Sequence, residues 1–121
     1  MKKIFFILFA GFLLSCQQNT NDRKPYVIEI TTFAYKTSVN IDEFWKEDAN
    51  IQAKFTSKQP GFISRESGYS KENNEVLVVV KWKNQTSADA SMQKFMTDTS
   101  VTTYADMIDA PSMKMKRYQV K

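Results

Sequence analysis

Val76-Leu77-Val78-Val79-Val80 is an unbroken apolar run, nearly all β-branched, that continues into Lys81 and Trp82. Such side chains suit a pleated strand, and a strand with one wet face would alternate, so an unbroken run marks a strand covered on both faces. Whatever the chain folds into must place this strand centrally and give it two layers of cover.

The flanking sequence supplies the other elements. Tyr26 to Lys36, YVIEITTFAYK, is rich in β-branched and aromatic residues and reads as a first strand. Asn40 is a good N-cap with Glu43 at capping-box spacing, and Val39 and Phe44 stand at the spacing of a hydrophobic staple. Ile41, Phe44, Trp45, Ile51 and Phe55, with small Ala49 and Ala53, then recur at helical spacing as far as Lys58 or Gln59, where Pro60-Gly61 stops the helix. Phe62 to Lys71 is a second strand with imperfect alternation, separated by the turn-forming Glu72-Asn73-Asn74-Glu75 from the third, Val76 to Trp82. A second helix begins near Asn84 to Thr86, with Thr86 and Asp89 at capping-box spacing and Ala88, Met92, Phe95 and Met96 expected on its apolar face. Thr97-Asp98-Thr99-Ser100 interrupts it; Val101, Tyr104, Ala105 and Ile108 belong to a shorter helix that ends before Pro111. Ser112 to Val120 closes the pattern as a basic fourth strand suited to a sheet edge, with Met113 and Met115 on one face.

The order β-α-β-β-α-β predicts a ferredoxin-like α+β fold, with two helices on one face of a four-stranded antiparallel sheet and the first and third strands central. Helices then cover only one face of the Val76 to Val80 strand. The second cover is expected from an identical subunit, making a homodimer whose two sheets form an α/β barrel.

The N-terminal segment has a different character. Met1-Lys2-Lys3 is basic, and Ile4 to Leu14 is uncharged and apolar, the layout of a secretory signal. As a helix the apolar part would span only about 17 Å, too short for a permanent membrane crossing. Leu13-Leu14-Ser15-Cys16 resembles the lipobox of bacterial lipoproteins, in which the chain is cut before the cysteine and the cysteine is lipidated. The expected organisation is residues 1–15 as a removed lipoprotein signal peptide, 16–24 as lipidated Cys16 with a polar tether, and 25–121 as one folded domain. The expected location is the bacterial cell envelope, lipid-anchored to a membrane outside the cytoplasm. Cys16 is the only cysteine, so it has no internal disulfide partner, and lipidation gives it a use. The multiple acyl chains that the resemblance implies would anchor the protein stably, which a single chain does not do.

Composition removes several functions. The 17 Lys and Arg, less Lys2 and Lys3, leave 15 against 13 Asp and Glu, so no electrostatic argument for nucleic acid arises. The chain has no histidine. With one cysteine, that excludes His/Cys zinc sites, a proximal-His haem ligand, Ser-His-Asp triads and Cys-His dyads. Acidic metal clusters and phosphate-cradling glycine loops are also missing from the sequence, and no metal is expected.

Gln59-Pro60-Gly61-Phe62, the strand ending in Lys81-Trp82, Phe95-Met96, and Met107-Ile108-Asp109 followed by Pro111, Ser112 and Met115 together resemble the antibiotic biosynthesis monooxygenase-like dimeric α/β barrels, over Val27 to Val120. That resemblance implies the fold already derived and, in the oxygenase members, cofactor-free oxidation of quinols or polyaromatics. Many oxygenase-like relatives carry a histidine nine residues after the tryptophan that ends the third strand; here that position is Ser91. The haem-binding version of the family is therefore not expected, and no cofactor is.

A small apolar or aromatic ligand would lie between helices and sheet, with Trp82, Phe44, Trp45, Phe95, Tyr104 and Met107 as candidate lining and Asn84, Ser91 and Arg65 as candidate polar groups. Glu66, next to Arg65 on a strand, must point the other way. An aromatic stripe at helical spacing serves a core as readily as a pocket, and Asn84 suits a helix cap. The sequence shows no acid-base pair, and two functions stay open: a membrane-tethered monooxygenase-like enzyme, or a non-catalytic dimeric ligand-binding or structural lipoprotein of the same fold.

Overall fold

The computed structural model describes residues 24–121; the signal-peptide and Cys16 expectations fall outside the described residues. Strand β1 (Tyr26–Phe33) leads to helix α1 (Ile41–Lys54), and β2 (Phe62–Ser70) and β3 (Glu75–Trp82) follow. Helix α2 (Gln85–Thr97), the short α3 (Thr102–Asp106) and β4 (Lys114–Val120) complete the order. The strands form one antiparallel sheet in the order β2-β3-β1-β4, which puts β1 and β3 at the centre and the basic β4 at an edge, as the sequence predicts. This is the ferredoxin-like α+β fold. Among the described residues no helix is long and apolar enough to cross a membrane.

Local chemistry sets the element ends. Asn40 Oδ1 accepts from the backbone N–H of Glu43 and starts α1, with Val39 packed against the core. α1 stops at Lys54, earlier than its apolar spacing suggests. Phe55 leaves the helical conformation, its carbonyl accepts from Gln59 Nε2, and the chain tightens into a 3₁₀ turn over Thr56–Lys58. Helix α2 is capped by Asn84, which accepts from Ser87 N at 2.8 Å, and not by a Thr86–Asp89 box, because the Asp89 carboxylate is drawn to Arg117. Met96 is 78% exposed and leaves the apolar face; Ser91 takes a buried place beside Ala88.

The motifs that carry the family resemblance have structural duties. Gly61 has φ +81°, and a Cβ built there would sit 2.2 Å from Ser87 Oγ, so only glycine lets the start of β2 pass the first turn of α2. Phe62, which follows it, packs edge-on against Trp82 at 6.0 Å. Ser112 Oγ accepts from Ala34 N and donates to the Asp109 carbonyl, while Asp109 N and Lys36 N donate to the carbonyls of Ala34 and Met107. These bonds stitch the segment before β4 onto the chain that leaves β1.

The core lies between the helices and one face of the sheet. Val76, Val78, Val80 and Trp82 point into it from β3, and Val27 and Phe33 from β1. Among the described residues the central strand is therefore covered on one side only. Leu77 is 40% exposed, Val79 half-buried, and with Ile28, Ile30 and Tyr118 they make an apolar area on the open face. The double cover that the Val76 to Val80 run predicts is not met by the described residues.

Candidate functional site

Two polar features interrupt this core. The first is a buried ionic network. Asp48, on α1, is 3% exposed and receives Arg65 Nη2 at 2.6 Å and Tyr104 Oη at 2.8 Å on one oxygen, and Arg65 Nη1 at 3.2 Å and Ser67 Oγ on the other. Burial pushes the Asp48 carboxyl upward, but the hydrogen bonds from Arg65 and Ser67, the Arg65 charge and Tyr104 outweigh it and hold the group below the usual carboxylate range. Burial and the Asp48 charge drive the Tyr104 phenol far above its ordinary value, so it stays protonated and serves as a donor. Arg65 is thus spent on Asp48 and not held free for a ligand, and Glu66 faces the other side of the sheet, as strand geometry requires.

The second feature is a cavity of about 100 Å³ between α2 and the helix-facing side of the sheet. Of the sequence candidates, Trp82, Phe95, Tyr104, Ser91 and Arg65 line it. Phe44 does not: it is fully buried in the neighbouring aromatic cluster, stacked on Tyr104 at 5.5 Å and edge-on to Trp45 at 5.0 Å. Met107 packs against the core from the stitched segment, and Asn84 is occupied as the α2 cap, beside a separate shallow hollow at the end of β1 and β4. Phe44, Trp45, Met107 and Asn84 are therefore structural neighbours of the cavity and not its walls. Of the lining residues on α2, β1 and the segment before β4, Met113 is 39% exposed and Met92, Phe95 and Thr31 are half-buried.

Trp82 is 1% exposed, and its Nε1–H is the one buried side-chain polar atom without a hydrogen-bond partner among the described residues. A stranded buried donor costs about 1–3 kcal/mol, and this one presents almost no surface to the cavity that the rest of the residue lines.

One charged lining residue was missed by sequence reasoning. Glu29 is 7% exposed on the central strand β1, and its Oε2 accepts from Arg117 Nε at 2.8 Å. Arg117, on β4, also pairs with Asp89 on α2, so one guanidinium joins edge strand, central strand and helix. The signal was available: in Tyr26 to Phe33, Glu29 shares its face with Val27 and Phe33, a lone carboxylate on an apolar, core-facing stripe. Among the described residues no group of acidic residues, histidines or cysteines is arranged to hold a metal.

The arrangement defines a ferredoxin-like domain with a small apolar cavity carrying isolated polar groups. No family model matches the chain, and no curated protein matches it in sequence. Solved structures do. SnoaB, a cofactor-independent oxygenase from Streptomyces nogalater, is 14% identical with a TM-score of 0.58, covering 79% of this chain and 91% of its own. A conserved protein from Methanosarcina mazei Go1 is 16% identical with a TM-score of 0.64, covering 81% and 95%. A candidate antibiotic biosynthesis monooxygenase from Nitrosomonas europaea is 18% identical with a TM-score of 0.62, covering 77% and 88%. At these identities the likeness establishes the shared fold.

Proposed function

We propose that the protein is a monooxygenase-like domain that binds a small aromatic or quinol in the cavity between α2 and the sheet and oxidises it without a cofactor. The observation that carries this is the cavity itself, walled by apolar and aromatic side chains such as Val78, Val80, Trp82 and Phe95 with Glu29, Arg65 and Ser91 as its polar groups. In the reaction dioxygen is the oxidant and the substrate the reductant: one oxygen atom enters the ring, the other leaves as water, and all four electrons come from the substrate. The protein's part is to hold the ring and exclude water. The description of SnoaB as a cofactor-independent oxygenase supports this through the shared fold.

On the same proposal the chain is a bacterial envelope lipoprotein, anchored through lipid on Cys16 and tethered by residues 16–24. Two copies pair through their open sheet faces around Leu77, Val79, Ile28 and Ile30, which gives the Val76 to Val80 run its second cover. A second reading, a non-catalytic ligand-binding lipoprotein, is favoured by one observation: Arg65 is committed to Asp48, and Ser91, though buried at the cavity, has no histidine to activate it.

Oxygen uptake by the purified protein with a panel of reduced quinols, compared with Trp82→Phe, tests the enzyme. Substrate-dependent uptake that falls in the variant supports it; no uptake across the panel, with ligand still bound, leaves the binding module. A monomeric mass in light scattering at micromolar concentration would refute the dimer, and a Cys16→Ser chain that stays in the membrane fraction would refute the anchor.

A further inference from the structure

We infer that the end of the domain at which the chain enters β1 is a basic face that rests on anionic lipid headgroups. The inference builds on the anchoring through Cys16 proposed above, and its test separates the two.

Antiparallel pairing gathers four chain segments at that end. Val27 and Phe62 both pair with Trp82, and Tyr26 pairs with Val120, so β1 and β2 start where β3 and β4 finish. The last turn of α1 arrives there too, because the 3₁₀ turn over Thr56–Lys58 leads straight into β2. Lys83 N donates to the Gly61 carbonyl at 2.8 Å, just before α2 begins. Residues 24–27, 54–62, 82–85 and 119–121 therefore share one end of the molecule. They include Lys24, Lys54, Lys58, Lys83 and Lys121, all exposed, and no Asp or Glu. Lys83 and Lys121 stand around one hollow with Pro25 and Tyr26. Among the described residues no carboxylate pairs with any of the five, and Asp89, in the second turn of α2, is taken up by Arg117.

The opposite end has the reverse balance. The start of α1, the β2–β3 turn, the end of α2 and the stitched segment carry Asp42, Glu43, Glu72, Glu75, Asp98, Asp106 and Asp109, against Lys36, Lys71, Lys94 and Lys114. A nearly balanced total thus hides a division of charge along the strand axis. On the proposed anchor, the chain from Cys16 to Lys24 reaches at most about 29 Å, so the lysine end is held near the headgroups and the acidic end is turned away. Each lysine close to an anionic surface strengthens the contact about fivefold, so five together make an orienting contact that one alone would not.

The test adds the full-length protein from detergent to preformed vesicles of phosphatidylcholine, alone or with about 30% phosphatidylglycerol, floats them, and reads lysine acetylation residue by residue by mass spectrometry. Lys24, Lys54, Lys58, Lys83 and Lys121 should react at least about threefold more slowly on the anionic vesicles, while Lys36, Lys71 and Lys114 react alike on both. The protection should vanish between about 0.1 M and about 1 M salt, as the screening length falls from about 10 Å to about 3 Å. In Lys54→Gln/Lys58→Gln/Lys83→Gln/Lys121→Gln, which alters exposed side chains only, Lys24 should lose its protection. Equal labelling on the two vesicle types, or equal slowing of every lysine, overturns the inference. Flotation distinguishes the face from the anchor. A protein that floats with both vesicle types and shows no anionic protection keeps the anchor and loses the face. One that floats only with anionic vesicles at low salt keeps the face and loses the anchor, and flotation with neither overturns both.

Discussion

Replacing Asp48 by alanine should be among the most damaging single changes in the domain, and the magnitude follows from what the carboxylate holds. Two bonds from Arg65, one from Tyr104 and one from Ser67 end on it, and the Arg65 side chain is 3% exposed. Without Asp48 the guanidinium is a buried charge with no counter-charge, a situation that costs about 3–5 kcal/mol when one partner of a buried pair is removed. Tyr104 Oη, at a residue 4% exposed, also loses its acceptor, whereas half-buried Ser67 can turn to water. Against a total stability of about 5–15 kcal/mol, such a loss leaves the domain marginal. At about 4–8 °C per kcal/mol for a domain of this size, the melting temperature should fall by at least about 12 °C. Urea unfolding followed by circular dichroism measures it, with the slope against denaturant checked for constancy. The companion variant is Asp48→Leu/Arg65→Met/Tyr104→Phe, which removes the fully buried polar partners together and leaves half-buried Ser67 to water. Apolar replacement of a buried ion pair is often neutral or stabilising, so the triple variant should recover most of the loss. If Asp48→Ala costs less than about 1 kcal/mol, or the triple variant is no more stable than the single one, the account of this network as a mutually dependent buried set is wrong.

Three further outcomes are expected. Because the folded-state pKa of Asp48 lies below its unfolded value of about 3.9, the unfolded chain binds more protons between the two; the contribution is complete above about pH 4 and lost as pH falls through the folded value. Unfolding free energies from pH 6 to pH 2 should therefore slope less in Asp48→Asn than in the unmodified protein, and an unchanged slope would count against the assignment. Gly61→Ala should destabilise by about 2–4 kcal/mol in thermal or urea unfolding, through its left-handed φ and the approach of Ser87, and Ser87→Gly should relieve only the steric part. Asn84→Ala should cost about 1 kcal/mol while Thr86→Ala is near neutral; the reverse order would restore the Thr86 capping box that the structure lacks.

The fold was legible in local sequence because its determinants are local. Asn40 with Glu43, the Pro60-Gly61 stop and the β-branched third strand each act within a few residues, and together they place the elements and put β1 and β3 in the middle of the sheet. The site was half legible. Trp82, Phe95, Tyr104 and Ser91 were found because helical and strand spacing puts them on inward faces. Asp48 and Glu29 were not, since a carboxylate in a helix or strand ordinarily faces water, and what keeps these two inside is an arginine 17 residues away for Asp48 and 88 for Glu29. Asn84 was legible as the α2 cap, but the Thr86–Asp89 spacing makes no capping box, and Asp89 is instead bonded by Arg117, 28 residues on. Phe44 and Trp45 fit an apolar stripe equally well as core or as cavity wall, and only the position of Tyr104 between Phe44 and the cavity separates the two roles.

Strand β2 is the least patterned of the four, with a register irregularity between Phe62 and Ser64, a glycine at position 68 and few buried side chains. Apolar alternation therefore does little to fix how it lies against β3. Arg65 does so instead. Sliding β2 by one residue would turn Arg65 out of the core and bring Glu66 toward Asp48, exchanging an ion pair for two opposed carboxylates. The buried pair thereby favours the observed alignment over a one-residue slip, adding a charge-based preference where the apolar pattern of β2 supplies little.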